Sequence, residues 1–321
     1  MEKSRLKQSI FKKVPGWCGT LLILVLILLV LGIANEGFFT VKNVMNILRQ
    51  VSVTGVIGLG MTLVIVTGGI DLSAGSVLAL AGMLVAMLAQ NGHPVEAVLA
   101  GVLVGVGCGF INGTVISITG IPPFIMTLGM QLCARGAANL VTGGYPVSGL
   151  CDSFKIIGGG SVLGFLPIPV IIYAVLAVIS FFILQKTAFG KRVYALGCNE
   201  NAAHLCGVNV KKVRTLVYTY VGLMTGIAAV VITSRVNAGN ASVGLNFEFD
   251  AISGAVVGGT SLSGGTGSIV GTVLGCLIVG CLDNGLTLLG VSAYYQQIFK
   301  GLLIVVSVIV DTYRNKASQR A

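Results

Sequence analysis

Along this chain, long stretches of Leu, Ile, Val, Ala and Gly are broken by short polar stretches, and most apolar stretches approach the length of a bilayer crossing. The first runs Gly19–Ala34, and nine more follow at about 44–66, 75–90, 95–118, 122–142, 168–185, 213–233, 250–263, 268–289 and 292–310. Because a helix needs about 20 apolar residues to cross a membrane, the pattern predicts an all-α polytopic membrane protein. It should have about ten transmembrane helices in a single domain, 1–321.

The basic segment Met1–Val14 followed by Gly19–Ala34 could pass for a signal peptide. No small-x-small cleavage site follows, since the chain continues Ala34-Asn35-Glu36-Gly37, and further apolar segments come after. The expectation is an uncleaved first span with its N-terminus inside. With ten spans the tail carrying Arg314, Lys316 and Arg320 also falls inside. So does the loop 186–214, where Lys186, Lys191, Arg192, Lys211, Lys212 and Arg214 face Glu200 alone. The outward loops 35–43, 143–167 and 234–249 hold few basic residues, so the charge bias agrees with one orientation, both termini cytoplasmic.

Composition supports this class. Hydrophobic residues make up 55% of the chain and charged residues only 9%, against about 25% charged in soluble domains. That excludes a water-exposed surface and a nucleic-acid binder. The net charge of +10 reports topology before partners. Eight cysteines are scattered without the paired spacing of a disulfide or zinc framework, Cys198, His204 and Cys206 included.

Glycine is abundant at 46 residues and its placement is ordered. Gly101, Gly105, Gly109 and Gly113 recur every four residues, which puts them on one helix face where another helix can approach closely. Gly222/Gly226 and Gly271/Gly275 repeat the spacing. The stripe reads as a packing seam within a bundle or between two copies.

Two glycine-rich interruptions resemble each other, Gly68-Gly69-Ile70-Asp71-Leu72-Ser73-Ala74-Gly75-Ser76 and Gly258-Gly259-Thr260-Ser261-Leu262-Ser263-Gly264-Gly265. Backbone exposed by such breaks must be buried in protein or line a wet cavity, and in transporters broken helices border the substrate path. The alternative is a pair of tight turns, with Asp71 or Ser73 capping the following helix. The span count puts both breaks on the same side of the membrane, unless one segment is re-entrant. Asp71, Ser73, Asn112, Arg135 and Asp250 are the polar candidates for the path. Arg135, inside an apolar run, could equally snorkel to an interface.

Catalytic motifs are missing. The chain has no Gly-x-x-x-x-Gly-Lys-[Ser/Thr], no His-Glu-x-x-His and no Gly-x-Ser-x-Gly, and its two histidines, His93 and His204, lie in separate loops. An enzyme is not expected, nor a cofactor or metal on this chain. Runs 17–34, 97–118, 168–185, 215–233 and 301–310 carry no charge, which argues against the buried ionisable groups of a stand-alone ion-coupled carrier or channel. Energy is then expected from outside the bilayer.

The loop 186–214 is the place for a motor to dock. Asn199 is a good N-cap, Glu200 suits the positive end of a helix, and Gly207 is a natural stop, which predicts a short helix of about two turns. So short a helix needs a surface to lie on.

Here the motif becomes specific. Glu200-x-Ala202-Ala203-x-x-x-Gly207 resembles the Glu-Ala-Ala-x-x-x-Gly loop by which permease subunits of ATP-binding-cassette (ABC) importers engage their ATPases. Phe189-Gly190-Lys191-Arg192-Val193-Tyr194-Ala195-Leu196-Gly197-x-Asn199-Glu200 is similar to that region in ribose-type sugar-importer permeases. The same holds for Gly69-Ile70-Asp71-Leu72-Ser73-x-Gly75-Ser76, Thr127-Leu128-Gly129-Met130 with Arg135-Gly136, Asp250-Ala251-Ile252, and Gly258-Gly259-Thr260-Ser261-Leu262-x-Gly264-Gly265, so the resemblance spans about 37–311. Two positions depart from it. Asn201 replaces the first alanine of the loop, and Asp283 is an acid where a neutral polar residue is the expectation.

The resemblance implies the fold of the vitamin B12 type importers and a pair of permeases, most simply a homodimer, in the lipid of the bacterial inner membrane. A sugar-binding protein would deliver a monosaccharide, ribose or a similar pentose, from outside. Cytoplasmic ATP-binding subunits holding ATP and Mg would engage Gly197, Asn199, Glu200, Ala202, Ala203 and Gly207.

Overall fold

In the computed structural model, which describes residues 17–319, every apolar run becomes a helix. These are α1 (Trp17–Ala34), α2 (Val41–Val66), α3 (Ala74–Gln90), α4 (Pro94–Thr119), α5 (Pro123–Leu140), α7 (Ile168–Lys186), α10 (Val210–Val236), α11 (Phe247–Val257), α12 (Ile269–Leu288) and α13 (Ala293–Gln319). Three more helices form in the connections: α6 (Asp152–Gly159), α8 (Ala188–Cys198) and α9 (Glu200–Leu205). Two pairs of two-residue strands complete the described residues, β1 (Val147–Ser148) with β4 (Ala238–Gly239) and β2 (Ser161–Val162) with β3 (Leu166–Pro167), both antiparallel. The basic residues of Met1–Val14 and Arg320 lie outside the described residues, as do the side chains of Arg314 and Lys316.

The protein is an all-helical, multi-pass membrane protein. Among the described residues six helices are long and apolar enough to cross a bilayer: α1, α2, α4, α7, α10 and α12. That is fewer than the ten spans expected from the sequence. The run 250–263 explains one shortfall. Its helix α11 has 11 residues, about 16 Å at 1.5 Å per residue, and stops at Gly258 before Gly259 turns the chain with φ +91°.

Helix α2 is the centre of the bundle. From Val51 to Val66 almost every residue is buried, as expected of a helix apolar on all sides, and it packs against α7, α10, α11 and α12. Leu22 and Val30 on α1, Leu103 and Phe110 on α4, and Val178 and Phe182 on α7 point outward, which in a membrane is the lipid-facing surface.

The four-glycine stripe of α4 lies against α10 of the same chain. A Cβ at Gly105 would overlap the Gly222 carbonyl, one at Gly109 would overlap the Tyr218 carbonyl, and one at Gly113 would lie 2.7 Å from the Thr215 Cα. At Gly101 the nearest atoms are the side chains of Val85 and Val230, each 2.8 Å away. Gly222 and Gly226 face the stripe from α10, so backbone meets backbone and dispersion contacts replace side chains. Gly271 and Gly275 make the same kind of seam with Gly258 and Gly254 across α11 and α12.

Candidate functional site

The first break begins where α2 ends. Asp71 Oδ1 accepts from the Ser73 backbone N–H at 2.8 Å and from the Ser73 hydroxyl at 2.6 Å. The Ser73 oxygen in turn accepts from the Asn112 side-chain amide of α4 at 3.0 Å. All three residues are buried. Ser73 rather than Asp71 is the N-cap residue of α3, and its side chain makes no capping bond. Asp71 closes a tight turn on Ser73 instead of capping the helix. Two further helices hold the break: the hydroxyls of Thr127 on α5 and Tyr218 on α10 both donate to the Ile70 carbonyl at 3.4 Å.

The second break folds onto the first. The Gly265 N–H donates to the Val66 carbonyl at 2.9 Å, with Gly264 and Gly265 both at positive φ. The end of α8 presses on this junction, because a Cβ at Gly197 would overlap the Val66 carbonyl and lie 2.6 Å from the Gly265 nitrogen. Tyr194, one turn earlier, donates its hydroxyl to the Gly267 carbonyl at 2.7 Å. Burial pushes the Tyr194 phenol above its ordinary pKa, so it remains a donor.

Beyond Gly197 the chain turns into α9. Asn199 Oδ1 accepts from the Ala202 N–H at 2.9 Å. At the other end Gly207 has φ +82°, its N–H donates to the His204 carbonyl at 2.9 Å, and the Val208 N–H donates to the Ala203 carbonyl at 3.0 Å. These paired bonds are a Schellman stop, which only a residue at ease with positive φ can form. Glu200 bonds Arg214 of α10 at 2.6 Å, so the short helix is tied to the first turns of a long one. Ala203 is buried beneath it, whereas Ala202 and Leu205 point away, Leu205 with 86% of its surface exposed. A groove of about 670 Å³ runs between this helix and the end of α4, lined by Glu200, His204, Lys211 and Arg214. A second cavity of about 320 Å³ connects Gly68 and Gly69 of the first break to Glu200, Arg214 and Tyr218.

Arg135 is half-buried and faces protein. Its guanidinium donates to the carbonyls of Ala241 and Val243 in the connection before α11. Gln131, four residues earlier on the same face of α5, donates to Glu248 Oε1 at 3.2 Å. Glu248 is buried against the start of α3, where a Cβ on Gly75 would overlap its carboxylate. Sequence reasoning missed Glu248, since a lone acid beside a loop carries no motif; the run Glu248-Phe249-Asp250 at an apolar boundary was the available signal. Asp250 belongs to a different group, bonded at 2.8 Å to Lys300 of α13, which also bonds Asp283 of α12 at 2.8 Å. The candidate path residues thus separate into Asp71, Ser73 and Asn112 together, Arg135 beside Glu248, and Asp250 with Lys300. Among the described residues no group of three or more His, Cys, Asp or Glu could hold a metal.

Residues 43–308 match the family model described as branched-chain amino acid transport system / permease component. The chain belongs to this permease family. The ribose import permease protein of Bacillus subtilis (strain 168) is 43% identical over 95% of this chain and 95% of its own length. The ribose import permease protein of Escherichia coli (strain K12) is 41% identical over 91% and 92%, and the D-allose transport system permease protein of the same strain is 40% identical over 93% and 92%. No solved structure matches the chain significantly.

Proposed function

We propose that this chain is the membrane-spanning permease subunit of an ABC importer that takes up a monosaccharide, ribose or a similar pentose. The observation that carries the reading is the match to two ribose import permeases and an allose permease along nearly the whole of both chains. The family model's own description names amino acids, but these full-length relatives favour a sugar.

In this reading the chain crosses the bacterial inner membrane ten times with both termini cytoplasmic, the short α11 completing its crossing through the glycine-rich break that follows it, on the plan of the vitamin B12 type importers, and pairs with a second copy. The loop 186–214 faces the cytoplasm. A separate ATPase holding ATP and Mg grips Asn199–Gly207, with the exposed Leu205 and Ala202 as the apolar contact. Closure of the ATPases moves α8 and α9, and two rigid links carry the movement. Gly197 bears on the junction of the two breaks, and Glu200 pulls α10 through Arg214. The buried turn of Asp71, Ser73 and Asn112 sits just beyond that junction and changes its position relative to the path.

Gentle extraction from the native membrane tests the reading. A stoichiometric ATPase subunit, with ribose uptake that stops on ATP depletion, is the expected result. Recovery of the chain without an ATPase, with uptake that collapses with the proton gradient instead, overturns it in favour of a secondary carrier.

A further inference from the structure

Two carboxylates share one ammonium between α11, α12 and α13, and a cavity of about 240 Å³ opens beside them. Asp250, Asp283 and Lys300 line it with Gln50 of α2, Asn246 and Gln297. Lys300 occupies one oxygen of each acid, Asp250 Oδ1 and Asp283 Oδ2. Two acids against one base leave a formal charge of −1 in a place where ionisable groups are expensive. A staple that merely fastened α13 would need one acid, and the second adds repulsion unless a further group uses it.

The remaining carboxylate oxygens have no hydrogen-bond partner among the described residues, and neither do the side-chain amides of Gln50, Asn246 and Gln297, three exposed residues on the cavity rim. A neighbouring apolar cavity of about 460 Å³ shares Asp283, Gln296 and Lys300 and adds Leu282, Phe299 and Leu303. A few placed polar groups on an apolar wall make the lining of a small-molecule site. Its chemistry suits a ligand with hydroxyls in a ring: hydroxyl hydrogens for the free carboxylate oxygens, hydroxyl oxygens for the amides and the ammonium, and a C–H face for Phe299. The polar cavity holds about eight waters at ~30 Å³ each, room for one such ring. Gln50 lies 16 residues before the Val66 end of α2, about 24 Å at 1.5 Å per residue, so the cavity is far from the coupling loop, on the side from which substrate would arrive.

We infer that this cavity is a binding site for one monosaccharide ring, held by Asp250, Asp283 and Lys300. The inference rests on the proposed import function for its ligand class but not for its test. Full-length protein in lipid nanodiscs, carrying a cysteine in place of Ala293, which also lines the cavity without a polar side chain (Ala293→Cys), is alkylated with a small maleimide, and the rate at that position is read by peptide mass spectrometry with and without ribose, xylose or allose. At least one sugar slows alkylation in a saturable manner. In a second protein that also carries Asp283→Asn, half-protection needs about tenfold more sugar, the loss of one charge-assisted hydrogen bond. Asp250→Asn serves if Asp283→Asn fails to fold. Absence of protection by all three sugars, or protection unchanged by either substitution, overturns the site. Failure of the import reading is distinguishable, because it appears as uptake without ATP dependence whatever the alkylation result.

Discussion

The backbone N–H of Gly265 donates to the carbonyl of Val66 at 2.9 Å, joining two glycine-rich breaks that the chain order separates by most of the bundle. Val66 is the last residue of α2, so its carbonyl has no helical partner of its own. A backbone group from the other break satisfies it, so this carbonyl is not left unpaired at membrane depth. Gly197 is the third member of the contact, and nothing larger fits there.

Gly197→Ala is expected to force the α8 end away from this junction. An overpacked contact of this kind costs about 1–3 kcal/mol. ATP hydrolysis by the assembled complex should persist while sugar uptake falls steeply; a variant with unchanged uptake and thermal stability would remove the junction from the coupling route.

Glu200 and Arg214 form an ion pair at the root of α9. Glu200→Arg alone should uncouple hydrolysis from uptake with little loss of thermal stability, because the pair is partly exposed. The exchange Glu200→Arg with Arg214→Glu should restore part of the uptake. If the double variant is no better than the single ones, the pair does not transmit movement. Gly207→Pro, which removes the N–H bonded to His204, is expected to uncouple as well.

The seam between α4 and α10 allows a paired comparison. A side chain at Gly105 meets the backbone of Gly222 and Gly226, whereas one at Gly107 has nothing within 4 Å. Gly105→Leu should lower the melting temperature in detergent by many degrees, and Gly107→Leu should leave it nearly unchanged. Equal effects would falsify the assignment of the stripe to this seam.

Asp71 accepts two bonds from Ser73 through one oxygen, and an asparagine can offer the same oxygen. Asp71→Asn should keep the fold, and Asp71→Ala should destabilise it by about 1–3 kcal/mol through the unpaired buried donors. Thermal unfolding of the two variants measures the difference. Uptake by Asp71→Asn then separates the geometry of the turn from the charge of the carboxylate.

Much of the architecture was legible because membrane helices are specified locally. Each apolar run became a helix, and Asn199 and Gly207 ended α9 where their side-chain and backbone chemistry said they would. Such signals act within one turn of the chain, so no knowledge of neighbours is needed. Span length was less legible: the hydropathy of 250–263 runs on past Gly258, but the positive φ at Gly259 stops the helix inside it.

What the chain order could not reveal is which surfaces meet. The spacing of Gly101, Gly105, Gly109 and Gly113 declared a close approach, yet the partner, α10 of the same chain rather than a second copy, is a matter of packing. Asp71 looked like a helix cap and instead closes a turn that reaches Asn112, 41 positions further on. Glu248 and Lys300 carried no motif, since their meaning depends on Gln131, Asp250 and Asp283, each supplied by another stretch of chain. Local propensity and hydropathy are properties of neighbours in sequence and determine the helices and their ends. Hydrogen bonds and ion pairs between distant residues exist only once burial has brought their helices together, so the polar sites were decided by the tertiary structure alone.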